Sequence, residues 1–180
     1  KGELAVIVGP NGAGKSTVMR VLLGMLEATS GSVTLDGNDI SRLSTQERIS
    51  LGLAFVPQNK NVFPSMTVEE NLEMGAFLRT DDIKKTMEEV YSLFPILYEK
   101  RRQLAEELSG GQRQQVAFGR AMMTQPSVML LDEPTAGVSP IVMDEIFSNI
   151  LDVRDAGMAV LMVEQNAQQA LNIADKGYVL

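Results

Sequence analysis

Short apolar runs and amphipathic stretches alternate along most of this chain. Residues 4–8 (Leu-Ala-Val-Ile-Val) read as a buried strand, and from Lys15 onward Val18, Val21, Leu22 and Met25 fall at helical spacing. Residues 32–35 alternate like a short strand and close on the turn signal Asp36-Gly37. Ser44-Thr45-Gln46-Glu47 is a capping-box pattern that opens a short helix stopping at Gly52. Residues 53–56 form another apolar run, ended by Pro57-Gln58, and a polar loop follows to Pro64. From Thr67 to about Gln125 the pattern turns to helix after helix: Thr67-Val68-Glu69-Glu70 is a second capping box, Asp81 and Asp82 suit the N-terminal end of a helix running to about Phe94, and Pro95 ends it. Strand signals return at 128–131, followed by a helix over 140–156, a strand at 159–163, a helix over 167–174 and an incipient strand at 177–180. Apolar runs that alternate with amphipathic helices imply βα units. The expected fold class is α/β, with a mostly parallel sheet flanked by helices and an inserted helical subdomain.

Composition narrows the function classes. At 180 residues the chain suits one domain. A net charge of −7 with no His argues against a nucleic-acid groove, because duplex phosphates need clustered Lys and Arg. The absence of Cys removes a disulfide framework, a thiol nucleophile and, together with the absence of His, a structural zinc site. No apolar run approaches the ~20 residues of a membrane span, so membrane association is expected to go through a partner. The chain opens on Lys1-Gly2-Glu3 without an initiator Met and stops inside the apolar Tyr178-Val179-Leu180. A fragment lacking edge elements at both ends is therefore expected.

The strongest chemical signal is residues 9–17: Gly9, Pro10, Asn11, Gly12, Ala13, Gly14, Lys15, Ser16 and Thr17. They fit G-x-x-x-x-G-K-[ST], after a strand and before a helix, where the mechanism needs the motif. Unpaired N–H groups and the helix dipole converge there, which favours a phosphate. Gly12 and Gly14 let the backbone curl closely around phosphate oxygens. Lys15 supplies a point charge for the β- and γ-phosphates, and the Ser16 hydroxyl is the expected Mg²⁺ ligand.

Two further motifs follow. Four apolar residues, 128–131, run into Asp132-Glu133. Beside a phosphate loop Asp132 is the expected Mg²⁺ holder and Glu133 the group that orients and polarises the attacking water; alone, the pair also fits a strand simply leaving the core. Leu108-Ser109-Gly110-Gly111-Gln112 is a capping box, with Ser109 as N-cap and Gln112 at N3. Adjacent Gly110 and Gly111 in a first helical turn cost roughly 1 kcal/mol each against Ala. Their presence suggests that something approaches the backbone, making a second anion-binding helix N-terminus.

With these motifs in this order, the chain resembles the nucleotide-binding subunits of ABC transporters over essentially its whole length, a P-loop NTPase fold. The resemblance implies a RecA-like core at 1–66 and 126–180 and a helical subdomain at 67–125 carrying the signature motif, residues 108–112. It implies that Gln58 is the Q-loop glutamine beside the metal and that Asp132 and Glu133 are the metal and hydrolytic acids. ATP and Mg²⁺ are the implied ligands, and the implied partner is a second ATP-binding subunit, head to tail, whose signature closes on nucleotide held by this phosphate loop. Residues 57–75 and Val163-Glu164-Gln165-Asn166-Ala167 look most like the branched-chain amino-acid importer subunits. Permease subunits, a periplasmic binding protein and a place on the inner face of the membrane are implied with them. Gln165 stands where most of the family has a switch histidine, a variant those importer subunits share. Ala136-Gly137-Val138-Ser139-Pro140 lacks the aspartate usual there. A urea or amide importer and a soluble, non-transport ABC ATPase are the competing readings; only about fifty residues separate Gln58 from Ser109, too few for a long coiled coil.

Overall fold

A computed structural model describes residues 2–180; Lys1, the first residue of the expected core, lies outside them. In chain order the elements are β1 (Leu4–Val8), α1 (Lys15–Leu22), β2 (Thr34–Leu35), β3 (Asn38–Asp39), α2 (Thr45–Ser50), β4 (Leu53–Val56), α3 (Val68–Gly75), α4 (Lys84–Leu93), α5 (Pro95–Glu99), a 3₁₀ turn at Ala105–Glu107, α6 (Gly110–Met122), β5 (Val128–Asp132), α7 (Pro140–Asp155), β6 (Ala159–Glu164), α8 (Ala167–Ile173) and β7 (Lys176–Val179). Five strands make one parallel sheet in the order β4-β5-β6-β1-β7. Helices lie against both faces, as expected for unbroken apolar strands. The register sets Val8 opposite Glu164 and Asp132 opposite Val163, so three strands end together at one rim.

On one face Met19 and Leu23 pack against Ile7, Leu53, Leu130 and Val163. On the other, Val6, Val8, Met129, Leu131 and Met162 share one core with Val68, Leu72, Val90, Leu97, Val116 and Phe118 of the helices. The helical region is thus welded to the sheet through α6.

Several local expectations shift. The buried stripe of α1 is Lys15 and Met19, continued by Leu23; Met25 lies beyond the helix and is exposed. The turn at Asp36-Gly37 has φ of 48° and 81°, the two positive values of a type I′ turn, and it joins β2 to a partner strand, β3, that the polar Asn38-Asp39 did not signal. Asp82 accepts from the Lys84 backbone N–H at 3.0 Å, whereas Asp81 pairs with Arg79. Pro95 ends α4 and also starts α5, where its fixed φ suits the first helical position. All three capping boxes form, at Ser44/Glu47, Thr67/Glu70 and Ser109/Gln112.

The contact of α3 with α6 depends on Gly75. A Cβ there would run into the Arg120 carbonyl oxygen, backbone that cannot swing aside. Gly75→Ala is expected to destabilise the fold by roughly 1–3 kcal/mol, the usual cost of overpacking. Urea unfolding measures it, and an unchanged midpoint would show that the two helices are not in this contact.

Candidate functional site

The rim at the carboxyl ends of β1, β5 and β6 is where the chemistry-bearing residues meet. Between β1 and α1 the chain turns through Pro10 and Ala13, whose N–H donates to the Pro10 carbonyl at 3.2 Å. Gly12 and Gly14 take φ of 86° and 103°, and nothing lies within 4 Å of where a Cβ would stand on either. The loop backbone is therefore left-handed where only glycine adopts it cheaply, and it is open towards solvent. Gly14 is the N-cap of α1, so the first-turn N–H groups of Lys15, Ser16 and Thr17 have no helical acceptor. The Asn11, Ser16 and Thr17 side chains are exposed at this mouth.

Lys15 is the exception, only 4% exposed. Its ammonium donates to the carbonyls of Gly9 at 2.7 Å and Pro10 at 3.1 Å, and its Nζ lies 3.5 Å from Glu133 Oε1. Glu133 Oε2 in turn accepts from Gln58 Nε2 at 3.3 Å. Residues 15, 58 and 133 thus converge on one carboxylate. The backbone of Glu133 has φ of 43°, a sparsely populated region for an L residue, and its N–H donates to the Val163 carbonyl at 3.0 Å. Burial pushes the Asp132 carboxyl above its ordinary range, and adjacent Glu133 adds to this, while Arg20 and Lys15 oppose it.

The residues present fit a divalent cation. Asp132 and Ser16 offer the hard oxygens that Mg²⁺ takes, and a cation relieves the crowding of negative charge at Asp132. The side chain of Gln58 reaches Glu133, so its place is next to that carboxylate.

At the start of α6 the Ser109 hydroxyl accepts from the Gln112 N–H at 3.2 Å, and Gln112 Oε1 accepts from the Ser109 N–H at 3.2 Å. The two glycines stand in different surroundings. A Cβ on Gly111 would stand 2.5 Å from the Glu145 carboxylate of α7, the end of an exposed, flexible side chain that can swing aside. Gly110 faces open space, with nothing within 4 Å. Neither glycine is required by fixed backbone packed against it, and Gly110 presents bare backbone to whatever lies outside.

Gln165 is exposed just past β6, on the wall of a cleft of about 250 Å³ shared with Glu133, Thr135, Met143 and Glu164. Several residues of this region were not singled out in the sequence. Glu164 is 2% exposed, and its carboxylate accepts from Thr135 N–H at 3.0 Å, Thr135 Oγ1 at 2.7 Å and the Gln165 N–H at 3.1 Å. Burial pushes its pKa up, the Thr135 and Gln165 donors pull it back, and the Glu133 charge adds to the rise. Asn71, fully buried in α3, accepts from Phe63 N–H at 2.8 Å and donates to the Phe63, Met66 and Thr67 carbonyls. Together with Gln114, which accepts from Asn61 at 2.8 Å, it pins the loop that follows Gln58 to α3 and α6. A polar residue at a position where the apolar period demands burial was the available signal.

The model of the ABC transporter family matches residues 1–136. The chain is 45% identical over 181 residues to the high-affinity branched-chain amino acid transport ATP-binding protein BraG of Pseudomonas aeruginosa, covering 100% of this chain and 78% of that protein. It is 41% identical over 182 residues to the probable branched-chain amino acid transport ATP-binding protein LivF of Archaeoglobus fulgidus, covering 100% and 77%. Among solved structures, the ADP conformation of MJ1267, an ATP-binding cassette of an ABC transporter, superposes with a TM-score of 0.88 at 32% identity over 100% of this chain and 77% of that one.

Proposed function

The chain belongs to the ABC transporter family, and from that premise we propose that it powers an importer of branched-chain amino acids through the composite site built around Lys15, Gln58 and Glu133. ATP hydrolysis is the family's activity, and the membrane-embedded permease is the partner that ATP-binding subunits serve. Among the described residues no helix is long and apolar enough to cross a membrane, which fits attachment through that permease at the inner face. A periplasmic binding protein completes the proposed importer.

In this reading residues 1–66 and 126–180 hold the nucleotide, and 67–125 presents Ser109, Gly110, Gly111 and Gln112 to a second subunit. The N–H groups from Gly12 to Thr17 wrap the phosphates, and residues 9–14 form the loop that carries them. Lys15 has two donors fixed on the Gly9 and Pro10 carbonyls, and the third, now directed at Glu133, is the one that a γ-phosphate takes. Ser16, Asp132 and Gln58 hold Mg²⁺, which supplies charge neutralisation on the phosphates. Glu133, its orientation fixed by Gln58, accepts the proton of the attacking water, and Gln165, which lines the same cleft, donates to the γ-phosphate region.

The observation that carries this is the meeting of three residues far apart in sequence on the Glu133 carboxylate, beside an open phosphate loop. The head-to-tail arrangement is tested by mixing. Ser109→Arg and Lys15→Ala chains are each expected to be inactive, and their mixture forms dimers with one intact composite site. ATPase activity reappearing in the mixture supports action of the signature in trans, provided that one site turns over alone; a mixture as inactive as its parts counts against it.

A further inference from the structure

Glu164 is a buried carboxylate without a cation partner among the described residues. A buried charge is costly unless hydrogen bonds satisfy it, and here three donors do so, two from Thr135 and one from the Gln165 backbone. Replacing buried ionic groups by apolar ones of similar volume is often neutral or stabilising, so stability alone does not account for a carboxylate here. What the polar arrangement adds is direction. Thr135 stands two residues beyond Glu133, and the Glu133 N–H is itself tied to the Val163 carbonyl at 3.0 Å. Residues 133–135 are therefore fastened to residues 163–165 at two points. Between those points lies a backbone, φ 43° at Glu133, that an L residue keeps only when its surroundings fix it. The same carboxylate also accepts from the Gln165 N–H, a contact that does not involve Thr135.

We propose that Glu164, clasped by Thr135, is a positioning residue for hydrolysis: it holds the segment that carries Glu133 and acts on the reaction through the Glu133 carboxylate. The proposal rests on the reading of Glu133 as the residue that accepts the proton of water. It sets no phosphate contact of its own, so it affects turnover and leaves nucleotide binding alone.

The test uses the full-length subunit with Glu164→Gln, Thr135→Val and Thr135→Ser, each also characterised for melting temperature. Glu164→Gln keeps the shape but sets an amide donor against the Thr135 or Gln165 donors. Thr135→Val deletes only the hydroxyl, and it decides the matter if Glu164→Gln does not fold. At saturating ATP both are expected to lower kcat about 10- to 100-fold, the scale of a small misplacement of a reacting group, with nucleotide Kd within about threefold of wild type. Thr135→Ser, which retains the hydroxyl, is expected to restore most of the rate. Added to Glu133→Gln, Glu164→Gln should lower the residual rate by less than about twofold, because its effect passes through the side chain already removed. Wild-type kcat in folded Glu164→Gln or Thr135→Val overturns the proposal, as does a loss of affinity equal to the loss of rate, or a full multiplicative drop in the Glu133→Gln background. The two levels separate cleanly: a fast Glu133→Gln removes the underlying reading and the proposal with it, whereas a slow Glu133→Gln beside fast Glu164→Gln and Thr135→Val removes the proposal alone.

Discussion

Glu133→Gln is expected to slow ATP turnover by roughly 10² to 10⁴ while nucleotide still binds, the loss associated with removing a positioned general base. The substitution preserves side-chain length, so the unusual backbone at φ 43° and the contact with Gln58 at 3.3 Å have no steric reason to change. What disappears is a negative charge that lies 3.5 Å from Lys15 and pushes the neighbouring Asp132 carboxyl upward. Removing it frees the Lys15 ammonium for phosphate and lessens repulsion of an anionic ligand. Affinity for ATP is therefore expected to stay level or rise, and binding without turnover should accumulate an ATP-bound dimer. Single-turnover hydrolysis, nucleotide titration and gel filtration with ATP report the three effects separately. Undiminished turnover would remove Glu133 from the reaction.

Lys15→Ala should give the opposite signature. The ammonium is buried, satisfied by the Gly9 and Pro10 carbonyls and next to Glu133, so it is held ready without a large rearrangement. Truncating one partner of a desolvated charged contact costs about 2–5 kcal/mol, which corresponds to at least a ~30-fold rise in Kd for ATP. The Glu133 carboxylate left without its cation adds to the effect, because it repels the phosphates. Gly9 is half-buried and Pro10 exposed at the loop mouth, so water can replace the ammonium on their carbonyls and the melting temperature of the unliganded protein should shift little. Titration with a fluorescent nucleotide gives the result directly, and near wild-type affinity would contradict the role of the phosphate loop as placed here. The pair of variants thus dissects one ion pair into a binding half and a hydrolytic half.

The sequence by itself determined the fold class, the phosphate loop and the order of the elements, because each is written locally. A strand buried on both faces requires an unbroken apolar run, a helix start requires a cap, and a phosphate cradle requires glycines at fixed spacing; residues 4–8, Ser109 with Gln112, and Gly12 with Gly14 state these needs without reference to the rest of the chain. Tertiary structure alone decided what depends on the rim where β1, β5 and β6 end together. That Gln58 reaches Glu133, that Lys15 is buried against it, and that Glu164 clasps Thr135 are consequences of strand order β4-β5-β6-β1-β7, which brings together residues as far apart in the chain as Lys15 and Glu133. The same holds for Gly75, whose lack of a side chain has no local reason until the Arg120 carbonyl of α6 is seen pressed against it. Local chemistry is short-ranged and legible residue by residue, whereas the pairing of charges and donors across strands is fixed only when the hydrophobic faces of distant segments have chosen their neighbours.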